Sequence, residues 1–227
     1  MKKILFVLCA ICTILIPGSG IAQLTNELGQ NTAFPANAAG SLTVSDTNGV
    51  WTSRGIGEGF RPDLQEFGVS EGTSWVTRDI GGKKSHNLLL TRLYWGCMLG
   101  NRVAEDKWYG GNWEFVQEVF GAWQYYPKHA FLTGATSLVR YNFATGTRWV
   151  PFMDGGVGLS LTDIGNPDLG SPGEFNGQIG PGLNYFWNNN LALTLQYRYM
   201  HNSNAGIKSP NQGINENIAY IGMSWFF

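Results

Sequence analysis

From about residue 64 to the end of the chain, apolar and polar residues alternate in segments that are separated by turn signals. A period of two places successive side chains on opposite faces of a β-strand. In 191–203, the odd positions carry leucine, tyrosine, histidine and serine, whereas the even positions are mostly small or polar. The pattern predicts eight strands, at about residues 65–78, 86–100, 112–126, 131–143, 148–162, 173–187, 190–203 and 214–227.

One face of the predicted strands is apolar and becomes aromatic near the strand ends, while the opposite face is small or polar. This arrangement is typical of a transmembrane β-barrel with lipid outside and a polar lumen inside. Short turns and longer polar links, at 101–111, 163–172 and 204–213, fit the unequal connections of such a barrel. We therefore predict an all-β fold, an eight-stranded antiparallel transmembrane β-barrel of the outer membrane, too narrow for a wide pore.

Several charged residues fall on the predicted inner face of the strands. Arg140 and Arg198, together with Glu114 and Glu216, are examples. Because a buried charge needs a partner, we expect ion pairs inside the lumen, including one between Arg198 and Glu216.

The first 63 residues differ in composition from the rest of the chain. Two lysines, an apolar run from Ile4 to Ile16 and small residues up to Ala22 predict a cleaved signal peptide. The next segment is polar and glycine-rich without a steady period, which indicates an N-terminal extension. The predicted domains are thus a signal peptide at 1–22, an extension at 23–63 and the barrel at 64–227.

The composition favours an exported β-protein over a soluble enzyme. The chain has 31 Gly, 9 Trp, 9 Tyr and 13 Phe, and only 14% of its residues are charged. Loss of Lys2 and Lys3 with the signal peptide changes the formal charge from −1 to −3, which gives no sign of a nucleic-acid partner. Cys97 would be the one remaining cysteine, and no metal-binding motif occurs, so we expect neither a metal nor a cofactor.

Candidate chemistry lies near the end of the predicted seventh strand. His201 and Ser203 are two positions apart and therefore share one face, where an imidazole can take the proton of a serine hydroxyl. His-x-Ser is a weak motif, however, and the same pair fits two interfacial polar residues at the edge of the apolar band. We interpret the other histidines, His86 and His129, as loop residues without metal partners.

A longer stretch resembles a known signature. "HNSNAGIKSPNQGIN", residues 201–215, resembles that of the outer-membrane lipid A 3-O-deacylases, the PagL or acyloxyacyl hydrolase family. Residues 138–158 and 177–201 show weaker similarity to the same group, so that the resemblance covers roughly 64–227. It implies an eight-stranded barrel whose active site lies on the outer wall and faces lipid.

The resemblance also implies roles for residues of this segment. Ser203 would be the nucleophile and His201 the general base, with Asn204 and the backbone N–H of Gly206 forming the oxyanion hole. Lys208 would contact a phosphate of lipid A, or it is simply a solvated loop residue.

The third member of the triad departs from the family pattern. The family has a glutamate directly after its Gly-Ile pair, whereas this chain has Asn215 there, followed by Glu216. The period of two turns Asn215 outward with His201 and Glu216 into the lumen, although a one-residue β-bulge would turn Glu216 outward instead. We favour Asn215 as the residue that orients the imidazole and keep Glu216 as the alternative acid.

The expected function is that of an outer-membrane serine esterase that hydrolyses the 3-O-linked primary acyl chain of lipid A. Its expected partner is lipopolysaccharide of the outer leaflet, and its expected location is the outer membrane of a Gram-negative-type bacterium. A homodimer is an open alternative to a monomer. Two rival functions are a non-catalytic structural or adhesive barrel, and a phospholipase or acyltransferase that uses the same Ser-His pair.

Overall fold

A computed structural model describes residues 51–52, 55–56, 60–62, 64–75 and 86–227. The predicted signal peptide at 1–22 lies outside these residues, as does most of the predicted extension at 23–63. Within the extension, Trp51–Thr52 and Gly55–Ile56 pair as a short antiparallel ladder. None of the described segments forms a helix long and apolar enough to cross a membrane.

Eight long antiparallel strands close into a barrel in which each strand pairs with its neighbours in the sequence and the last pairs with the first. The strands are β1 (Gln65–Trp75), β2 (Asn87–Met98), β3 (Gly111–Tyr126), β4 (Ala130–Phe143), β5 (Trp149–Thr162), β6 (Gly173–Phe186), β7 (Leu191–Ser203) and β8 (Ile214–Phe226). The predicted fold class is therefore confirmed. The strand ends differ from the prediction by at most two residues, except at the end of β1, where residues 76–78 are not described.

The two ends of the barrel are distinguished by their links. The terminal end holds the start of β1 and the end of β8, joined by hydrogen bonds between the backbones of Gln65 and Phe227. The site end holds the links 127–129, 163–172 and 204–213. The expected separation of long links from short ones is not complete, since the long link 99–110 lies at the terminal end. That link folds back along the start of β3 through a backbone bridge between Val103 and Gly111.

Side chains alternate between the lumen and the outer wall as the period of two requires. Along β7 the even positions are buried and the odd positions are partly or fully exposed. Every barrel strand has at least one exposed large apolar side chain on the outer wall, from Phe67 on β1 to Met223 on β8. An apolar outer wall around a polar lumen is the arrangement that lipid imposes on a spanning barrel.

Three buried arginines link four carboxyl groups into one ionic column along the lumen. Its members are Glu66, Arg92, Glu114, Glu118, Arg140, Asp154 and Arg198, and each is at most 2% exposed. Glu118 lies 3.1 Å from Arg92 and 2.9 Å from Arg198. Asp154 lies 2.8 Å from Arg198 and 3.3 Å from Arg140, which also reaches Glu66 at 2.6 Å and Glu114 at 3.6 Å.

The expected pair between Arg198 and Glu216 does not form. Arg198 reaches across the lumen to Glu118 and Asp154 instead, because both carboxylates lie at its own level on β3 and β5. Glu216 does face the lumen, as predicted, and is only 1% exposed. In the part of the chain that the structure describes, neither of its carboxyl oxygens has a hydrogen-bond partner.

Apolar clusters close the lumen beyond the ionic column. At the terminal end, Phe60 and Leu64 pack with residues of the barrel strands, including Phe186 and Phe226. At the site end, Ile164 and Leu169 of the link 163–172 pack with Ala130 and Ile214. The part of the barrel that is described is therefore a packed body and not a pore, as expected for eight strands.

We predict that Arg140→Ala lowers the free energy of unfolding by ~3–5 kcal/mol, because it leaves three buried carboxyl groups without their shared cation. Urea titration in detergent, followed by the different gel migration of folded and unfolded barrels, measures the change. Lys107→Ala, in an exposed part of the link 99–110, is the control and should change stability by less than ~0.5 kcal/mol. Equal losses in the two variants would contradict the stabilising role of the column.

Candidate active site

The end of β7 and the start of β8 bring three polar side chains together on the outer wall. His201 and Ser203 both point outward, and the register pairs Asn215 directly with His201. His201 Nε2 lies 3.0 Å from Ser203 Oγ, and its Nδ1 lies 2.6 Å from Asn215 Oδ1. The structure therefore joins the predicted nucleophile, base and orienting residue through one imidazole ring.

The partners of His201 decide which ring nitrogen carries the proton. Asn215 Oδ1 can only accept a hydrogen bond, so Nδ1 of His201 donates to it. In the neutral ring, Nε2 then has a free lone pair that accepts from the hydroxyl of Ser203. This is the tautomer that a general base needs if it is to deprotonate a serine.

Glu216 is excluded from this arrangement by the register of β8. The pairs Asn215–His201, Glu216–Met200 and Asn217–Tyr199 follow one another without a shift. The β-bulge that would have turned Glu216 outward is therefore absent, and its side chain lies in the lumen. The position next to the imidazole belongs to an amide and not to a carboxylate.

The link 204–213 begins with a compact turn held by Asn204, whose side chain is buried. Asn204 Nδ2 donates to the carbonyl of Lys208 at 2.9 Å, and its Oδ1 accepts from the backbone N–H of Gly206 at 3.0 Å. Both predicted oxyanion donors are thus engaged within the turn. The second hydrogen of Asn204 Nδ2 is still available as a donor.

Sequence reasoning missed Asn211, which also supports this turn. Its Oδ1 accepts a hydrogen bond from the backbone N–H of Asn204 at 3.2 Å. No motif signalled this contact, because it joins two loop residues whose approach depends on the whole turn. Lys208 is exposed, which is consistent both with a phosphate-binding residue and with a solvated loop residue.

Gly213 closes the link beneath the imidazole. Its φ of +70° favours glycine, and an added Cβ would lie 2.9 Å from Cε1 of His201. Any larger residue at this position would therefore push against the ring that contacts Ser203. The predicted signature contains this glycine, but only the structure shows that it lies directly against the ring of His201.

The neighbouring link 163–172 packs against the link 204–213 and hydrogen-bonds to it. The carbonyl of Asp168 accepts the backbone N–H groups of Gln212 at 3.1 Å and Gly213 at 3.0 Å. Gly170 packs so closely that an added Cβ would lie 2.2 Å from the carbonyl oxygen of Pro210. These contacts join two links that are about forty residues apart in the sequence, and no local pattern could have predicted them.

The surroundings of the site on the outer wall are apolar. On β6, Phe175 pairs with Ser203, and Gly177 pairs with His201 and leaves open space there. Tyr199 lies next to His201 on the same face of β7. Among the described residues, no group of three or more histidine, cysteine, aspartate or glutamate side chains could hold a metal ion.

A family model described as Lipid A 3-O-deacylase (PagL) matches residues 91–224. The Lipid A deacylase PagL of Pseudomonas aeruginosa is 38% identical over 77 residues, which cover 33% of this chain and 42% of the relative. The Lipid A deacylase PagL of Bordetella bronchiseptica is 31% identical over 117 residues, 47% of this chain and 61% of the relative. The matched segments thus span about half the length of these two relatives.

Solved structures show the same architecture. The crystal structure of the outer membrane enzyme PagL superposes with a TM-score of 0.52 at 21% identity, over 69% of this chain and 97% of that one. The crystal structure of Neisserial surface protein A superposes with a TM-score of 0.51 at 15% identity, over 72% of this chain and 96% of that one. At these identities the likeness concerns the fold alone.

We predict that Gly213→Ala slows the reaction of Ser203 with a fluorophosphonate probe by about 10²-fold, the usual effect of moving a reacting group by ~1 Å. Gly146→Ala is the matched control, because Gly146 also has a φ of +70° but has nothing within 4 Å of an added Cβ. The control should fold and react like the unchanged protein. An unchanged labelling rate in Gly213→Ala would show that Gly213 does not position His201.

Proposed function

The chain belongs to the lipid A 3-O-deacylase (PagL) family, and on this premise we propose that it hydrolyses the ester of the 3-O-linked acyl chain of lipid A. One observation carries the proposal. His201 bridges Ser203 and Asn215 on the apolar outer wall, inside the segment that matches the family. An acyl ester that stays in the membrane can reach these residues only from the lipid side, which is where they face.

The hydrolysis proceeds in two half-reactions. Ser203 Oγ attacks the ester carbonyl while His201 Nε2 takes the hydroxyl proton. The tetrahedral intermediate then expels the 3-oxygen of the sugar, which receives that proton from His201. Water, deprotonated in turn by His201, attacks the acyl-serine and releases the free fatty acid together with the restored Ser203.

The oxyanion donors are proposed to come from the turn that follows the nucleophile. Asn204 has a second amide hydrogen, and the N–H of Gly206 would reach the oxyanion after exchanging its bond with Asn204 Oδ1. The buried side chain of Asn204 keeps this turn compact through its contact with Lys208. The side chain of Lys208 is exposed and is proposed to contact a phosphate of lipid A.

Asn215 holds the imidazole but cannot neutralise its charge. Its Oδ1 fixes the tautomer of His201, as the asparagine of Cys-His-Asn proteases does. The imidazolium that forms during the reaction then lacks the stabilisation that a carboxylate provides. We therefore propose an active but slower hydrolase than one with a glutamate at this position.

The protein resides in the outer membrane, as its family and its barrel fold require. The proposed substrate lies in the outer leaflet, and no cofactor is needed for this reaction.

We predict that cells expressing the chain lose one 3-linked acyl chain from lipid A and that Ser203→Ala abolishes this loss. Mass spectrometry of extracted lipid A measures it. Ser137→Ala is the control, because Ser137 also faces outward but lies on β4, and its hydroxyl donates to Gln117. Free fatty acid released from phospholipid alone would point to a phospholipase. Unchanged lipid A beside a folded barrel would point to a non-catalytic protein.

We predict that Asn215→Asp raises kcat about tenfold, which corresponds to ~1.4 kcal/mol of added stabilisation of the His201 imidazolium. Asn217→Asp is the control, because it adds the same charge to the same face of β8 but pairs with Tyr199 and not with His201. Rates are compared on purified lipid A in detergent, normalised to folded protein. A kcat that rises equally in both variants, or falls in Asn215→Asp, would contradict the proposed role of Asn215.

A further inference from the structure

We propose that His86 and Asp168 form a clamp that positions the catalytic link 204–213, and that the clamp is closed only when His86 is protonated. The inference rests on the proposed function, since it names two positioning residues for the same active site. Neither residue touches the reacting atoms. Both act through the backbone of the link 163–172.

His86 is buried beneath the links at the site end of the barrel, with 3% of its surface exposed. Its Nδ1 lies 2.7 Å from Gln124 Oε1, on β3. The orientation of that amide is fixed, because Gln124 Nε2 donates to the carbonyl of Lys128 at 2.9 Å. Nδ1 of His86 must therefore carry a hydrogen and donate it to Gln124.

The second ring nitrogen of His86 also faces an oxygen acceptor. Its Nε2 lies 3.5 Å from Asp168 Oδ2 and has no hydrogen-bond partner among the described residues. A neutral imidazole has only one N–H, which Gln124 already uses. Nε2 of the neutral ring would therefore turn a lone pair toward a carboxylate, whereas Nε2 of the imidazolium donates a charged hydrogen bond to it.

Asp168 carries this interaction to the active site. Its backbone carbonyl accepts the N–H groups of both Gln212 and Gly213. Gly213 lies against His201, with an added Cβ only 2.9 Å from Cε1 of the ring. If Asp168 were displaced, the two backbone hydrogen bonds would displace Gln212 and Gly213 with it. Gly213 would then no longer lie in the same position against the ring of His201.

Within the described part of the chain, no other group that faces His86 replaces this partner. From β1, Ser74 Oγ donates to the backbone carbonyl of His86 and accepts the N–H of Leu88. Glu216 of β8 faces the lumen near Ser74. Gln124 and Ser74 are neutral, so that among the described residues Asp168 is the charged group in contact with the ring.

The clamp gives the activity a pH dependence of defined sign. Loss of the proton on Nε2 of His86 would leave a lone pair facing the carboxylate of Asp168, so that the contact becomes repulsive and the clamp opens. The activity should therefore fall on the alkaline side, although His201 itself needs to be neutral to act as a base.

Asp168→Asn tests this mechanism, because an asparagine can donate its amide hydrogen to the neutral ring. The variant keeps the backbone carbonyl that accepts the N–H groups of Gln212 and Gly213. Its side chain should hydrogen-bond to Nε2 of His86 whether the ring is neutral or protonated. We expect the kcat of the unchanged protein to fall about tenfold from its optimum toward pH 9, a loss of the size expected for a charged hydrogen bond. In Asp168→Asn the fall should be less than about twofold, and His86→Gln should have low kcat at every pH.

Two matched controls exclude general effects of these substitutions. Asp106→Asn makes the same change in the exposed link at the terminal end. His129→Gln removes a histidine at the site end that stacks on Trp123 of the outer wall. Both should keep the pH profile of the unchanged protein. Superimposable profiles of Asp168→Asn and the unchanged protein, or a parallel loss at all pH values, would overturn the clamp.

A second measurement separates this inference from the proposed function. Hydrogen exchange of the amides of Gln212 and Gly213, followed by NMR in detergent, measures how well their hydrogen bonds to Asp168 are formed. This measurement needs no substrate. Asp168→Ala should exchange these two amides at least about tenfold faster than the unchanged protein at the same pH. Unchanged exchange would overturn the clamp even if the Ser203-dependent hydrolysis is present. Absent hydrolysis with faster exchange would overturn only the proposed function.

Discussion

The ionic column in the lumen is the interaction on which the rest of the structure depends. Three arginines and four carboxyl groups from six strands meet there, away from water, so that each charge needs the strands that carry its partners. The column requires the even positions of β7 and the matching positions of its neighbours to face inward. With the lumen occupied by charges and closed by apolar clusters, the outer wall is the surface on which the proposed reaction would take place.

The geometry of the site follows from that constraint on the strand faces. Once Arg198 faces the lumen, His201 and Ser203 must face outward, because they are three and five positions away on the same strand. The antiparallel register then brings Asn215 opposite His201, with no adjustment by a bulge. The strand register does not fix the position of the link 204–213. The carbonyl of Asp168, in the link 163–172, accepts two backbone hydrogen bonds from it.

The period of two predicted the features that depend on local sequence, which are the strands and the faces of their side chains. It missed the contacts between residues that are far apart in the sequence. It predicted the eight strands, the outward face of His201 and the opposite faces of Asn215 and Glu216, since each depends on parity along one strand. It paired Arg198 with Glu216 wrongly, because parity assigns a face but not a partner across the lumen. It treated His86 as a loop residue, although the ring is buried against Gln124 and Asp168, which are about 40 and 80 residues away.

An amide beside the imidazole of His201 fits a site that faces lipid. A carboxylate on the outer wall would stabilise the imidazolium, but it would also lie among apolar side chains such as Phe175 and Tyr199, where an unpaired charge is costly. Beside a neutral His201, a carboxylate at this position would have no cation to offset its charge. Asn215 avoids this cost and still fixes the tautomer through its Oδ1. In the proposed reaction the same residue would slow hydrolysis, so that one side chain would affect both the stability of the barrel and the rate.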